Sequence, residues 1–204
     1  MHILLVRHAR HGSPAKFPEE GDLSEEGVSQ AESTGQILAD QAIERLFSSP
    51  YPRAMQTAAI VSRVVGVPVE IRTELQNRTR AGAEVPTRSE ISAHFPEFIM
   101  PHDMPERWSP GRPESGQEVY DRIGRLATEL RSLEGRHERI AVVGHAWPLD
   151  ALTSVLGGCP PLERMRFYYD NCSLTLVCVA DGVGRIQYVN LVPHVNAKRE
   201  LFFY

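Results

Sequence analysis

The sequence has little of what several large classes of protein depend on. Its 204 residues include only three cysteines, an odd number without a Cys-x-x-Cys pair, so a disulfide framework or a structural zinc site is not expected. No apolar run approaches the length of a membrane span, and the opening run, residues 1–7, is shorter than the core of a signal peptide. We therefore expect a cytoplasmic protein with reduced thiols and no membrane contact.

The chain also lacks an excess of positive charge. Lys and Arg number 22 against 26 Asp and Glu, and the formal net charge of −4 disfavours broad nucleic-acid binding, which needs a basic face. There is no internal repeat or low-complexity tract. The hydrophobic fraction of 42% and charged fraction of 24% are ordinary for globular proteins. The length suits one domain with a substantial core, and we expect a single domain over residues 1–204.

Short apolar runs alternate with amphipathic segments along most of the chain. Strands are predicted at 3–6, 43–48, 67–71, 140–143, 173–179 and 185–191, and helices at 24–38, 53–65, 115–133 and 148–156. The two last strands meet at Asp181-Gly182, a hairpin signal. Alternating strands and helices predict an α/β fold with three layers, α/β/α, and a mainly parallel central sheet.

Residues 74–113 break this pattern, because prolines recur there among arginines, histidines and aromatics. We expect an irregular insertion over the site, too short and polar to form a core of its own. Its arginines and aromatics would either select an anionic substrate with an apolar part or serve as surface cations and a satellite core. The residues concerned are Arg78, Arg80, Arg88, Arg107, Arg112, Phe95, Phe98 and Trp108.

Three predicted strands are each followed by a basic side chain. His8 follows the first, Arg53 follows the second, and His145 follows the strand at 140–143. Ligands gather at the carboxyl ends of parallel strands, so these residues and Arg7 should converge there. Singly, each is more typical of a structural or surface role. Together, a nucleophilic imidazole among cationic donors is what phosphoryl transfer needs, with His8 as the nucleophile.

The sequence around these residues resembles the histidine phosphatase (phosphoglycerate mutase-like) superfamily over nearly the whole chain. Five ordered motifs carry the resemblance: LLVRHA at 4–9, DLSEEG with QA at 22–31, SSPYPRAMQTA at 48–58, Glu114-Ser115 with Glu118 and Arg122, and VVGH at 142–145. Asn171-Cys172-Ser173 and Asn190…His194 also fit the closing strands of the family.

The resemblance implies a phosphatase that acts on a small phosphorylated substrate without a metal or organic cofactor. His8 would become phosphorylated, and water would then release phosphate from the phosphohistidine. The phosphoryl oxygens would be bound by Arg7, Arg53 and His145. Other side chains that could donate hydrogen bonds to the substrate are Arg10, His11, Ser13 and Asn77.

The proton donor for the leaving group is where the sequence departs from the family pattern. Many members use a Glu in a Leu-x-Glu segment, but the matching register here ends on Asn77, and an amide cannot release a proton at neutral pH. Another branch uses an Asp directly after the second histidine, where this chain has Ala146. We assign the acid to Glu74, with Glu84 as second choice; the alternative is that both are surface acids.

Ala9 is a milder departure, since the family usually has glycine there, and it matters only if the position needs a positive φ.

Three alternatives stay open. A phosphoglycerate mutase-type phosphotransferase must exclude water and usually has a longer chain, so this length favours a phosphatase. The amide at Asn77 suggests instead a catalytically weakened module that binds phosphate or a phosphoprotein. Finally, His8 and His11 with His102-Asp103 could ligate a metal, although their spacing is weak evidence. The substrate and the oligomeric state, a dimer included, are not determined by the sequence.

Overall fold

The computed structural model describes residues 1–12, 23–78 and 85–192. The strands are β1 (His2–Arg7), β2 (Arg45–Ser48), β3 (Val69–Ile71), β4 (Arg139–Gly144), β5 (Leu174–Ala180) and β6 (Val183–Leu191). The helices are α1 (Glu25–Ala39), α2 (Pro52–Val65), α3 (Arg88–His94), α4 (Gly116–Arg131) and α5 (Ala146–Leu156), with a 3-10 turn at Thr73–Leu75. Within these ranges, no helix is long and apolar enough to cross a membrane.

The strands form one sheet in the order β3-β2-β4-β1-β5-β6. The pairs β3–β2, β2–β4 and β4–β1 are parallel, whereas β5 runs antiparallel to both β1 and β6. The mainly parallel α/β sheet predicted from the sequence is therefore confirmed. The predicted hairpin joins β5 to β6, and its turn residues Asp181 and Gly182 both have positive φ, 54° and 72°, as a tight hairpin turn requires.

Successive residues of β1 face two separate cores, which explains its unbroken apolar run. Ile3 and Leu5 pack in the core beneath α4 and α5, and Leu4 and Val6 pack in the core beneath α1 and α2. A parallel sheet covered by helices on both faces needs apolar side chains at every position. The result is the three-layer arrangement expected, with the carboxyl ends of β1, β2, β3 and β4 at one edge.

Helix α1 begins against the loop that follows β1. Ser24 Oγ accepts a hydrogen bond from Gly27 N, and Glu25 and Glu26 lie in the first turn, so the helix start predicted there is confirmed. Ser24 N also donates to the Arg10 carbonyl at 3.0 Å. A Cβ on Gly27 would lie 1.9 Å from that carbonyl oxygen, so only glycine allows this close approach.

The segment after β3 is more regular than the sequence suggested. Helix α3 was not predicted, although Thr87 and Glu90 form the capping box that marks such a start. Ile91, Phe98 and Trp108 are buried in the core beneath α2. The apolar side chains of this segment therefore join the main core, because the sheet edge and α2 leave an apolar surface for them to cover.

Candidate active site

The pairing of β1 with β4 brings two histidines together. Arg7 lies opposite Gly144, and the next residue, His8, donates its backbone N–H to the Gly144 carbonyl at 2.9 Å. His145 follows directly as the N-cap of α5. The rings of His8 and His145 consequently lie with their centroids 5.0 Å apart at the carboxyl edge of the sheet.

The tautomer of His8 is set by its two partners. Nδ1 lies 2.8 Å from the Ala9 carbonyl, which can only accept, so Nδ1 carries the hydrogen. Arg53 Nε can only donate, and it reaches His8 Nε2 at 3.3 Å, so Nε2 presents a lone pair. The side chain is 4% exposed, and burial, with the charge of Arg53 next, lowers the pKa of His8 well below 6.5. Neutral imidazole is the nucleophilic form.

His145 is held at one ring nitrogen and open at the other. Nε2 lies 2.9 Å from Ser49 Oγ, whereas the buried Nδ1 has no partner among the described residues. Burial, followed by the charge of Arg53, lowers the pKa of His145 well below 6.5. A buried polar atom without a partner is costly unless a ligand satisfies it, and this one lies at the amino end of a helix.

The two arginines add fixed positive charge to the histidine pair. Arg53 lies in the first turn of α2 with its guanidinium 5.1 Å from the centre of the Tyr51 ring, which itself meets His145 edge-on. Arg7 NH1 donates to the Tyr169 carbonyl, while Arg7 Nε is buried without a partner in the described part of the chain. Burial lowers the pKa of the Arg7 guanidinium from its ordinary value, but arginine stays protonated at any physiological pH.

A neutral imidazole nitrogen thus lies beside a guanidinium, with a second imidazole and a second arginine nearby. Such a set of donors binds the oxygens of a phosphoryl group and stabilises charge that develops on them. The structure brings together the four residues that the sequence singled out from three separate strand ends.

The model of one family, the histidine phosphatase superfamily (branch 1), matches residues 3–192. The chain belongs to this superfamily. The resemblance drawn from the five motifs is thereby confirmed, and with it the identification of the chain as a phosphatase-type enzyme.

Other members of the histidine phosphatase superfamily resemble the chain over most of its length. A glucosyl-3-phosphoglycerate phosphatase of Mycolicibacterium vanbaalenii is 28% identical over 205 residues, covering 96% of this chain and 85% of that protein. Phosphoserine phosphatase 1 of Hydrogenobacter thermophilus is 27% identical over 204 residues, covering 95% of this chain and 94% of that protein. The solved structure of a mycobacterial glucosyl-3-phosphoglycerate phosphatase with VO3 superposes with a TM-score of 0.69 at 22% identity, covering 93% of this chain and 99% of that one.

Two further motif residues of this histidine phosphatase hold the backbone around His8. Thr57 Oγ1 accepts from Ala9 N at 3.0 Å and donates to the Arg53 carbonyl at 2.7 Å, so it ties the histidine loop to α2. Asn171 Nδ2 donates to the His8 carbonyl at 2.8 Å. Ala9 is fully buried and is not among the residues with positive φ, so alanine stands in the glycine position without backbone strain.

The motif glutamines hold both ends of the loop that follows. Gln30 Oε1 accepts from Arg10 N, and Gln56 Oε1 accepts from Leu23 N, each at 3.0 Å. His11 and Leu23 form an isolated antiparallel bridge between the two ends. The family motifs beyond the four pocket residues are therefore the framework that positions them.

The predicted substrate contacts outside the pocket stay predictions. Arg10 is exposed and its guanidinium pairs with Glu26 at 2.7 Å. Asn77 is half-buried, and its Oδ1 accepts from Arg78 N at 3.0 Å. Ser13 lies outside the described residues.

The first-choice proton donor, Glu74, has its side chain directed at other partners. Its carboxylate lies 3.4 Å from Arg72 NH2, and Arg72 pairs in turn with Glu129 of α4. The Glu74 backbone carbonyl accepts from Arg122. None of these contacts joins its carboxylate to His8, so the assignment stays a prediction without a described contact behind it. Glu84, the second choice, lies outside the described residues, as does Arg80.

The buried aromatic side chains of the segment 85–113 serve packing, and its arginines make contacts near the surface. Trp108 Nε1 donates to the Pro86 carbonyl at 2.7 Å and the ring meets Tyr51 edge-on at 5.7 Å. Arg88 donates to the Met104 carbonyl, and the exposed Arg112 pairs with Glu118. These contacts favour the core-and-surface alternative for the segment, while Trp108 packs against Tyr51, whose ring in turn contacts His145.

Sequence reasoning missed one pair close to the second histidine. The guanidinium of Arg78 lies 4.7 Å over the ring of Trp147, two residues beyond His145, and Arg78 Nε donates to the Glu114 carbonyl at 2.9 Å. The signal available in the sequence was an aromatic residue in the first turn after the second-histidine motif.

No group of three or more His, Cys, Asp or Glu side chains in the ranges 1–12, 23–78 and 85–192 could hold a metal ion, so the alternative built on His11 and His102-Asp103 has no such cluster behind it.

Proposed function

We propose that the protein hydrolyses a small phosphomonoester through a phosphohistidine formed on His8. The observation that carries the proposal is the hydrogen bonding of the His8 ring. Its Nδ1 is bound to the Ala9 carbonyl and its Nε2 lone pair faces Arg53, so one nitrogen is anchored and the other is available to attack. Burial keeps this imidazole neutral at physiological pH.

In the first step, His8 Nε2 attacks phosphorus while the bond to the ester oxygen breaks and the alcohol leaves with a proton. In the second, water attacks the phosphohistidine, the N–P bond breaks, and inorganic phosphate is released. Arg53, Arg7 and His145 Nδ1 bind the non-bridging oxygens in both steps. Phosphoryl transfer depends mainly on such positioning and charge stabilisation, so no metal is required.

Two observations bear on the substrate class. The relatives are named for phosphate esters of small carboxylic acids, glucosyl-3-phosphoglycerate and phosphoserine. Arg78, stacked on Trp147, places a further cation next to the His145 helix start. We therefore expect small esters with a second anionic group near the phosphate to be the best substrates.

The proposal is tested by trapping the intermediate. The enzyme is mixed with labelled p-nitrophenyl phosphate, whose leaving group needs no proton, and quenched in alkali, in which phosphohistidine survives. Labelling is expected in the wild type and in His94→Ala, a matched change of an exposed histidine on α3, and should vanish in His8→Ala. Absence of labelling and turnover with every phosphomonoester would instead support the phosphate-binding module. Loss of turnover in chelator would revive the metal alternative.

The mutase alternative differs in its product. A phosphatase releases one inorganic phosphate for each ester consumed, whereas a mutase passes the phosphoryl group to another hydroxyl. Comparing phosphate release with ester consumption on phosphoglycerates distinguishes them, and we expect the two to be equal.

We also propose a cytoplasmic location. Cys159, Cys172 and Cys178 are all free thiols, as expected in a reducing compartment. Burial raises the pKa of the Cys172 thiol to about 12, so it is unreactive at neutral pH. Cell fractionation with an activity stain checks this, and enzyme in an oxidising compartment would contradict it.

A further inference from the structure

The proposed reaction still needs a group that protonates the leaving oxygen. Asn77 carries an amide, which cannot do so, and the carboxylate of Glu74 is engaged with Arg72. Without protonation, an alkoxide would have to leave unaided, which makes esters of ordinary alcohols very slow. General acid catalysis of this kind typically contributes about 10²–10⁴-fold.

One titratable side chain that the proposed reaction has not used lies directly beside the nucleophile. The His11 ring centroid is 5.8 Å from that of His8, with the ring planes inclined at 48°. His8 is almost fully buried, whereas His11 is exposed, so His11 lies on the side of His8 that is open to solvent. Substrate would enter and the alcohol would depart on this side.

The hydrogen bonding of His11 selects which nitrogen can exchange a proton. Nδ1 lies 3.0 Å from the Gly12 carbonyl, an acceptor only, so Nδ1 carries a hydrogen in either charge state. Proton gain and loss therefore take place at Nε2. Histidine is the side chain suited to this exchange near neutral pH.

The backbone of His11 is held in place on both sides. It forms a bridge with Leu23, whose N–H is bound by Gln56 of α2, while the preceding Arg10 N–H is bound by Gln30 of α1. A proton donor needs such a fixed position to act on an oxygen a few ångströms from the nucleophile.

We propose that His11 is the general acid and general base of this phosphatase; the inference rests on the proposed function. In the first step, the ester P–O bond breaks as the bond from His8 Nε2 to phosphorus forms, and the leaving oxygen takes the proton from His11 Nε2. In the second step, the oxygen of a water molecule bonds to phosphorus as the N–P bond breaks, and the electron pair of that bond returns to His8 Nε2. Neutral His11 Nε2 takes a proton from the same water, and phosphate departs.

Charged and titratable side chains lie near His8 and His11. His8 is neutral, Arg10 is paired with Glu26 of α1, and Arg53 of α2 is cationic. His11 gives its proton to the leaving oxygen in the first step and takes one from water in the second. The cycle thus returns His11 to the state in which it started.

The test compares leaving groups in His11→Gln, with His94→Gln as the control and Glu84→Gln in parallel. On glycerol phosphate, whose alkoxide needs a proton, kcat/KM of His11→Gln should fall by about 10²–10³-fold. On p-nitrophenyl phosphate, the first-turnover burst of nitrophenol should change less than about threefold, and labelled phosphohistidine should accumulate because its hydrolysis is slowed. His94→Gln should match the wild type on both esters.

Equal losses on both esters, or none on glycerol phosphate, would overturn the role of His11. A loss confined to the alkyl ester in Glu84→Gln alone would move the acid to Glu84. Whichever result is obtained, labelling of His8 in the same enzymes tests the phosphohistidine of the proposed function independently of the role of His11. A His11→Asn variant with unchanged thermal unfolding guards against a folding defect, because the side chain is exposed.

Discussion

The pocket around His8 and the segment 72–78 both lie at the carboxyl edge of the sheet, but they use their polar groups differently. In the pocket, Arg7 Nε and His145 Nδ1 are buried without a partner in the described part of the protein. In the segment 72–78, Glu74 is bound through both its carboxylate and its carbonyl, and Asn77 accepts from the next residue. Gln76 Oε1 is the exception in this segment, because it is buried without a hydrogen-bond partner among the described residues.

The difference separates a ligand site from its support. Native proteins satisfy nearly all buried polar atoms, so a cluster of unsatisfied donors marks a place where a ligand completes the hydrogen bonding. A satisfied network marks scaffold instead. Side chains in the pocket should therefore affect binding and turnover, and side chains in the network should affect stability.

The largest effect is expected from breaking the buried part of the network. Glu114 and Arg122 form a bidentate ion pair with side chains only 6% exposed, and Arg122 also holds the Glu74 carbonyl. Glu114→Ala would leave a buried guanidinium uncompensated and should lower the free energy of unfolding by about 3–5 kcal/mol. Urea denaturation measures this. A change below about 1 kcal/mol would show that this network contributes little to the stability of the fold.

The next effect is expected in the pocket. His145→Gln keeps a hydrogen-bonding group but no longer places a donor where Nδ1 lies. Because one preorganised donor is lost, kcat/KM on p-nitrophenyl phosphate should fall by about 10²–10³-fold. Inhibition by inorganic phosphate should weaken in parallel. The variant should remain folded, and unchanged turnover would show that His145 is scaffold like the network.

Acidification should lower the stability of the folded protein through the pocket histidines, His8 and His145. The pKa values of His8 and His145 are lowered in the folded protein, so the unfolded chain binds their protons first as pH falls below 6.5. The free energy of unfolding should then fall by up to about 1.4 kcal/mol per pH unit for each histidine. Urea titrations at successive pH values from neutral to mildly acidic measure the slope, which should be shallower in His145→Gln. An identical slope would argue against a neutral, buried His145.

The smallest effect is expected at Glu74. Glu74→Gln removes a partly exposed ion pair with Arg72, which Glu129 also neutralises, so stability should change by less than about 1 kcal/mol. Turnover of glycerol phosphate should stay within about twofold of the wild type. A loss of about 10²-fold on that ester, with p-nitrophenyl phosphate unaffected, would restore Glu74 as the acid.

Much of the fold follows from short-range patterns. The apolar run of β1 and the Ser24 helix start were readable from a few neighbouring residues, and α3 had a readable capping box at Thr87 that the surrounding prolines obscured. The convergence of His8, Arg53 and His145 was predictable because each lies shortly after a parallel strand, and parallel strands align their carboxyl ends.

The partners of long side chains were not predictable in the same way. The sequence favoured Glu74 as the proton donor, but Arg72 draws its carboxylate into an ion-pair cluster that also contains Glu129, 57 residues from Arg72. Arg78 meets Trp147 across a comparable gap in sequence. Such contacts depend on how α4 and α5 pack on the sheet, and no local pattern encodes that packing.

The sequence by itself determined that His8 follows a buried strand ending at Arg7, in a motif shared with the histidine phosphatases, with Arg53 and His145 near the ends of neighbouring strands. The tertiary structure decided which nitrogen of His8 faces Arg53, which pocket atoms lack a partner in the described residues, and that His11 lies beside the nucleophile. The physical reason is the distance along the chain over which each kind of interaction acts. Backbone propensity and burial act over a few residues, but the direction and hydrogen bonding of a side chain are set by groups that only folding brings within a few ångströms.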